Sequence, residues 1–378
     1  MRKQGVYISI MVIPIFGGLA AQLLRIVIAF TLRDFGLTVF EITILSSTFM
    51  LARGLSAPLI GRLGDKGWSR YLIVSLGFLG LGIDSVLYLI VPYPYMIGLR
   101  ALDGIYGAMA WTTMQAWVHM ASPGKYKGRL MSSYFMMGGL GASIGYIFYN
   151  ILLGNAYYAV LTVATFYIIS ILFSIPFRGI KQGEKKKEIE QKSSGHNASL
   201  YSLSFLYGMF FSLGAEVLWF YLAETMEFGR ANTTFFLSIV TFIAIFGTFL
   251  MGYISDKRGF RFTLWVLGLL ALLSGFFLML NFQTIVLVAT LIFYVAGRGF
   301  MPISRSFAAS RTKNIGTSLG FVNFSSNIGS VVAPLIGGFL YDLFSPYHIF
   351  VFNLGAFLFF VLGISIFVNT YILNRMER

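Results

Sequence analysis

Apolar runs of about 20 residues, long enough to cross a bilayer as a helix, recur along the whole chain between short polar stretches. They predict helices over 7–32, 38–60, 71–91, 95–119, 129–153 and 156–177. After a polar segment at 178–198, a second series follows at 199–223, 231–254, 262–280, 284–310, 316–341 and 347–371. Divided among twelve helices, the chain leaves about 31 residues for each span with its connection, which suits short loops at a rise of 1.5 Å per residue. No stretch remains for a sizeable soluble domain. The expected fold is an all-α polytopic membrane protein with twelve transmembrane helices. It comprises an N-terminal six-helix bundle at 1–177, a cytoplasmic linker at 178–198 and a C-terminal six-helix bundle at 199–378.

Composition agrees with this pattern. Hydrophobic residues make up 57% of the chain and charged residues only 11%, with a mean hydropathy of +0.79. A soluble domain carries about 25% charged residues. The net charge of +14 raises the question of nucleic acid, but its distribution answers it. Of 28 Lys and Arg, 21 fall on one side of the predicted spans, two (Arg33 and Arg230) on the other, and five within spans. That asymmetry follows the positive-inside rule and places both termini in the cytoplasm of a multi-pass cell-membrane protein. No nucleic-acid partner is implied. The basic start and first apolar run are read as a transmembrane helix, not a cleaved signal, because the run continues to about residue 32 and Arg25 interrupts it. The absence of cysteine excludes disulfides and cysteine-based metal sites.

Two polar loops repeat each other. "GRLGDKGWSR" starts at Gly61 and "GYISDKRGFR" at Gly252, 191 residues apart and each after the second helix of its half. A second correspondence aligns Gly128 with Gly316, Ser132 with Gly320 and Gly141 with Gly329, at an offset of 188. Two markers at nearly one offset point to an internal duplication, and therefore to two pseudo-symmetric bundles.

With these loops the chain resembles the major facilitator superfamily over nearly its whole length. The loop signature G-x-L-a-D-R-x-G-R-R/K is matched by Gly61, Leu63, Asp65, Lys66 and Arg70, with Trp68 where glycine is usual. The second copy keeps Gly252, Asp256, Lys257, Gly259 and Arg261. The resemblance implies a cytoplasmic gate in which Asp65 and its counterpart latch the two bundles together. A carboxylate beside a helix N-terminus is physically apt for that role. The alternative is that Asp65 caps its own turn.

Charged groups inside spans are costly, about 2.5–3.5 kcal/mol each near the helix centre, so each needs a reason. Arg25, Asp84, Arg100 and Asp103 are expected at similar depth in the outer half, with charges summing to zero as a compensating cluster requires. "RALDG" at 100–104 resembles the family's R-x-x-Q-G signature, which implies proton handling at Arg100; Asp84 and Asp103 are the candidate proton carriers. A static ion-pair network is the rival reading. Helices one, four, seven and ten line the central cavity in this family. Arg25, Gln115, Glu216, Arg298, Asn323 and Asn327 are therefore cavity candidates, although Gln115, Asn323 and Asn327 read equally well as interhelical hydrogen-bonding groups. Arg53 and Arg305 are read as snorkelling. Antiporters of the family carry a glycine pattern on helix five; here Gly141 and Gly145 fit it, while Tyr146, Tyr149 and Asn150 replace the rest.

No P-loop, dinucleotide fingerprint or metal-ligand spacing is present, so neither an enzyme nor a cofactor is expected. The expected protein is a monomeric secondary transporter working by alternating access. Its partners are a small-molecule substrate, protons and the surrounding bilayer, and the leading function is proton-coupled export of an amphipathic compound or drug. The alternatives are an organic-anion carrier and a lipid flippase on the same fold.

Overall fold

A computed structural model describes residues 2–121, 127–152, 154–178, 195–213, 216–280, 283–310, 314–344, 361 and 363–373. Among them every regular element is helical: α1 (Arg2–Asp34), α2 (Val39–Asp65), α3 (Arg70–Leu87), α4 (Met96–Ala121), α5 (Lys127–Ile151) and α6 (Ala156–Ser174). The second half contains α7 (Gly195–Leu213), α8 (Glu216–Phe220), α9 (Gly229–Arg258), α10 (Phe260–Met279), α11 (Gln283–Ser310), α12 (Ile315–Leu343) and α13 (Gly363–Leu373). Nine spans among the described residues are long and apolar enough to cross a membrane, with α7 and α8 forming one of them. The more polar α4 and α5 are of similar length, 26 and 25 residues. Of the predicted twelfth helix, 347–360 and 362 lie outside the described residues, as does most of the linker, 179–194.

Several boundaries differ from expectation. Helix α2 does not stop at 60 but runs through the glycine–aspartate loop to Asp65, ending as Gly67 turns left-handed at φ 97°. Glycine adopts that conformation without steric cost, so Gly67 ends the helix where Trp68 breaks the family pattern. Helix α9 likewise runs to Arg258 and ends at Gly259, φ 83°. The span expected at 199–223 is two helices followed by a wide π turn at Tyr221–Thr225, in which Met226 N–H donates to Tyr221 O at 2.9 Å. One extra residue in that turn re-aims the side chains that follow, Glu224 among them. The last residues assigned to the linker already belong to α7.

Packing places the functional region between the two halves. Helix α1 packs on α5 and α6, and α2 on α4; in the second half α10 packs on α11 and α7 on α12. Across the halves, α2 lies along α12 and α5 along α9. The α2–α12 crossing is close because it is built from small residues. A Cβ on Gly61 would overlap the Gly316 carbonyl, and one on Gly320 would stand 2.6 Å from the Ala57 carbonyl oxygen. Both cross-half pairs keep contact from face to face. Ser47 Oγ donates to Val331 O at 3.0 Å, and Ser143 and Ser238 each donate to the other's carbonyl at 3.0 Å.

Candidate functional site

The repeated loops meet the opposite half. The first turn of a helix has N–H groups without intrahelical acceptors. At α12 the preceding Asn314 supplies no side-chain cap. Asp65 takes that place from the other half: it accepts from Gly316 N–H at 3.1 Å and from the N–H and Oγ1 of Thr317, both at 2.8 Å. Arg70, buried, holds the same carboxylate at 3.1 Å. The second copy does the same in mirror order. Asp256 accepts from Gly128 N–H at 3.1 Å and Arg129 N–H at 3.0 Å, the first turn of α5. The glycine one turn earlier explains the motif's spacing: Gly61 and Gly252 sit at the helix crossings and bring Asp65 and Asp256 to those amides. Lys66 is exposed, Lys257 lies 4.6 Å over the Tyr253 ring, and Arg261 is half-buried at the start of α10.

The opposite face is pinned as well. Asp342, at the end of α12, accepts from Val39 N–H at 3.2 Å and Phe40 N–H at 2.7 Å, so another foreign carboxylate caps α2. Its counterpart 192 residues earlier is Asn150, whose amide donates to Ala231 O at 3.2 Å and accepts from Thr234 Oγ1 at 2.8 Å in the first turn of α9. Two bidentate ion pairs flank these contacts. Arg33 grips both Glu224 oxygens at 2.9 Å, and Arg230 grips Asp34 at 2.6 and 2.7 Å. The two cations that the charge count assigned to this side thus each bridge the halves. Asp342→Ala is expected to open this face. Two charge-assisted hydrogen bonds are worth about 3 kcal/mol together, on the order of a 100-fold shift. Labelling of a Ser47→Cys reporter by an impermeant maleimide checks it, with at least a tenfold faster rate expected in the Asp342→Ala background.

Between the two faces, arginines gather at the junction of the halves. Arg25 lies 5.0 Å over the Trp219 ring, which meets Tyr146 edge-on at 6.1 Å. Arg298 reaches across from α11: a Cβ on Gly139 of α5 would stand 3.1 Å from its Nη1, and Tyr294 lies 5.7 Å below its guanidinium. The charges of Arg25 and Arg298 both act on the buried Tyr146 hydroxyl. Nearer the loop face, Arg305 Nε donates to Asn323 Oδ1 at 3.2 Å. Asn323 Nδ2 in turn donates to Gln115 Oε1 at 3.0 Å and Thr112 Oγ1 at 3.2 Å. No carboxylate forms an ion pair with Arg53, Arg298 or Arg305 among the residues whose side chains are described.

The acids of the first half lie elsewhere. Asp103 is buried on α4 and accepts from Tyr88 Oη at 2.7 Å and Arg100 Nη1 at 3.3 Å. Asp84 on α3 is buried, the charge of Asp103 acts on it, and its Oδ2 has no hydrogen-bond partner among the described residues.

The sequence profile of the Major Facilitator Superfamily matches residues 10–330 and again 200–375. The chain belongs to the major facilitator superfamily. Its second match falls on the second half of the chain. No curated protein sequence matches closely enough to add a relative. Two solved structures share the fold at 14% identity. The human organic anion transporter MFSD10 (TETRAN) has a TM-score of 0.77 and covers 97% of this chain and 99% of its own. The E. coli fucose:proton symporter FucP has a TM-score of 0.68, covering 97% and 98%. This protein is therefore a multi-pass membrane protein with a secondary-transporter fold.

Within this fold the expected residues sort into three groups. Asp84, Arg100 and Asp103 come together inside the first half, whereas Arg25 leaves that expected four-charge cluster and joins Trp219 at the junction. Gln115 and Asn323 meet there too, while Asn327 lies buried beside Gly54 with its amide nitrogen unpartnered among the described residues. Glu216 opens α8, and its side chain lies outside the described residues. Sequence reasoning missed Trp219, Tyr294, Asp342, Glu224 and the inward course of Arg53 and Arg305. The usable signal was Tyr146, Tyr149 and Asn150 in place of small residues on helix five. Tyr146 meets Trp219, Tyr149 packs on Phe30 at 5.5 Å and Asn150 bonds Ala231 O and Thr234 Oγ1 of α9.

Proposed function

We propose that the protein is a secondary carrier for an organic anion, working by alternating access between an N-terminal bundle at 1–177 and a C-terminal bundle at 199–378. The observation that carries this reading is that Arg53, Arg298 and Arg305 at the junction of the halves form no ion pair with a carboxylate among the residues whose side chains are described. Each guanidinium in a span costs about 2.5–3.5 kcal/mol on insertion scales. An anionic cargo accepting bidentate hydrogen bonds would offset that cost while bound. Trp219, Tyr146 and Tyr294 give Arg25 and Arg298 an aromatic surround, which suits a carboxylate or sulfonate on an apolar body. The likeness to a structure described as an organic anion transporter agrees with this reading. Drug export, the leading expectation from sequence, has no comparable feature behind it.

Alternating access supplies a role for the caps. With both termini in the cytoplasm, Asp65 and Asp256 close the cytoplasmic side, and Asp342, Asn150 and the two arginine–carboxylate pairs close the outer side. Release of one set while the other holds exposes the arginines to one compartment at a time.

The test is uptake into proteoliposomes of benzoate, p-toluenesulfonate and succinate, with tetraphenylphosphonium as the cationic control. Saturable entry of at least one anion supports the reading; entry of the cation alone overturns it. Coupling to protons is a second element, favoured by two neighbouring buried carboxylates, Asp84 and Asp103, with one arginine, Arg100, paired to Asp103. With both ionised the cluster carries an excess negative charge inside the membrane, so a proton stabilises it. Asp103→Asn is expected to abolish stimulation of benzoate uptake by a pH gradient and to leave gradient-free exchange within about threefold of wild type. Equal gradient stimulation in wild type and variant would remove the coupling role.

A further inference from the structure

We infer that Arg53 and Arg305, with Asn323, Gln115, Thr112 and Tyr134, form a second anion station nearer the basic face, fitted to a compact doubly charged oxyanion group. The inference rests on the anion-carrier reading only in placing both stations on one route; binding at the second is measurable alone. Five helices converge there. A Cβ on Gly104 would stand 2.8 Å from Arg53 N, and one on Gly107, about one turn nearer the basic face, 3.9 Å from its Cδ. The Arg53 side chain therefore runs along α4 toward that face. Its charge acts on the Tyr134 hydroxyl, which is buried and without a hydrogen-bond partner among the described residues. No hydrogen bond to the Arg53 guanidinium itself appears among the described residues, and its one ring contact is Phe49 at 5.8 Å.

Arg305 is fixed more firmly, and by neutral groups alone. It is 4% exposed, with Nε on Asn323 Oδ1 at 3.2 Å, and Nη1 on Ser304 Oγ at 3.0 Å and Met301 O at 3.5 Å. Asn323 is oriented by Gln115 and Thr112 from the other half, so the guanidinium is held ready without being neutralised. The charged group acting on Arg305 is Arg53, a like charge. The Tyr134 and Tyr167 hydroxyls face Arg53, its charge reaches Arg305, and Arg100 lies 5.8 Å from the same Phe49 ring. Like charges within reach of one another repel, and no described carboxylate pairs with either guanidinium. A doubly charged oxyanion supplies a counter-charge and accepts from two guanidinium forks. Arg298 and Arg305 are seven residues apart on α11, a separation of about 10 Å along its axis. The second station is thus separate from the aromatic-lined one.

Thermal unfolding of purified protein in nanodiscs at low ionic strength tests the inference, with sulfate, inorganic phosphate, succinate and benzoate as added probes. Ligands that bind the native state alone raise the melting temperature in proportion to their occupancy. At least one of sulfate, phosphate and succinate is expected to stabilise wild type saturably, and which one does so separates inorganic oxyanions from dicarboxylates. Arg53→Gln is expected to melt higher than wild type without anion, because a like charge is gone, and to need at least tenfold more of that probe. Arg53→Lys keeps the charge and part of the response. Arg62→Gln, an exposed charge control, leaves the response unchanged. Arg305→Gln adds a second reading where it folds; Arg53→Gln and Arg53→Lys suffice where it does not. An unchanged response in Arg53→Gln, or no stabilisation of wild type by any of the three dianions, overturns the second station. Failure of benzoate alone, with sulfate or succinate still active, counts against the aromatic-lined site and leaves the second station standing.

Discussion

Replacing Asp65 and Asp256 together by alanine is expected to unlatch the basic face and slow anion uptake by at least an order of magnitude. Each carboxylate caps a helix of the other half with two backbone hydrogen bonds, and Asp65 adds the Thr317 hydroxyl. Charge-assisted hydrogen bonds of this kind contribute about 1.5–3 kcal/mol each, and the helix dipole adds a few tenths more. A loss of about 4 kcal/mol from the closed state across both sites moves the equilibrium by nearly three decades. A carrier held open on one side visits the other rarely, so turnover falls while cargo binding is retained. A Ser132→Cys reporter beside Gly252 is expected to become accessible from the basic face in the double variant. The single variants should show intermediate labelling. Unchanged labelling in the double variant would show that these carboxylates do not hold the face shut.

Arg298→Gln is expected to reduce benzoate uptake about 100-fold, close to 2.7 kcal/mol, the scale of one bidentate arginine–carboxylate contact. The guanidinium crosses from α11 to α5 and has no carboxylate partner among the described side chains, so its loss removes an interaction reserved for cargo. Arg298→Lys keeps a charge but not the planar fork and should recover only part of the rate. Uptake at several benzoate concentrations distinguishes weaker binding, seen as a raised KM, from a slower conformational step. Full activity in Arg298→Gln would remove the residue from the site.

Hydropathy and charge asymmetry were enough to read the spans and their grouping, because a bilayer constrains length and loop charge directly. The two cross-half aspartate caps were legible for a different reason: duplication printed the same glycine and aspartate twice. What hydropathy does not encode is the direction in which a side chain leaves its helix. Arg53 and Arg305 looked like snorkelling cations, yet Gly104 and Gly107 clear a course for Arg53 along α4, and Asn323 fixes Arg305 inward. Asp342 was passed over because it sits at the end of a span and its repeat counterpart is Asn150, an amide and not an acid. The π turn after α8 brings Glu224 to Tyr341, whose Oη donates to it at 3.4 Å, a long-range contact that local pattern cannot carry. Departures from the family pattern on α5 were in hindsight the strongest pointer, since Tyr146, Tyr149 and Asn150 all serve the junction between halves.

Reciprocal opening of the two faces can be measured by spin-label distances. The chain contains no cysteine, so engineered pairs are labelled without background. One pair at the exposed Lys66 and Lys257 spans the basic face, and another at the exposed Phe35 and Asn232 spans the opposite face. Across conditions with and without a transported anion, and in the Asp65→Ala/Asp256→Ala background, one distance should lengthen as the other shortens. Distances that stay fixed, or that lengthen together, would contradict alternating access between the two bundles.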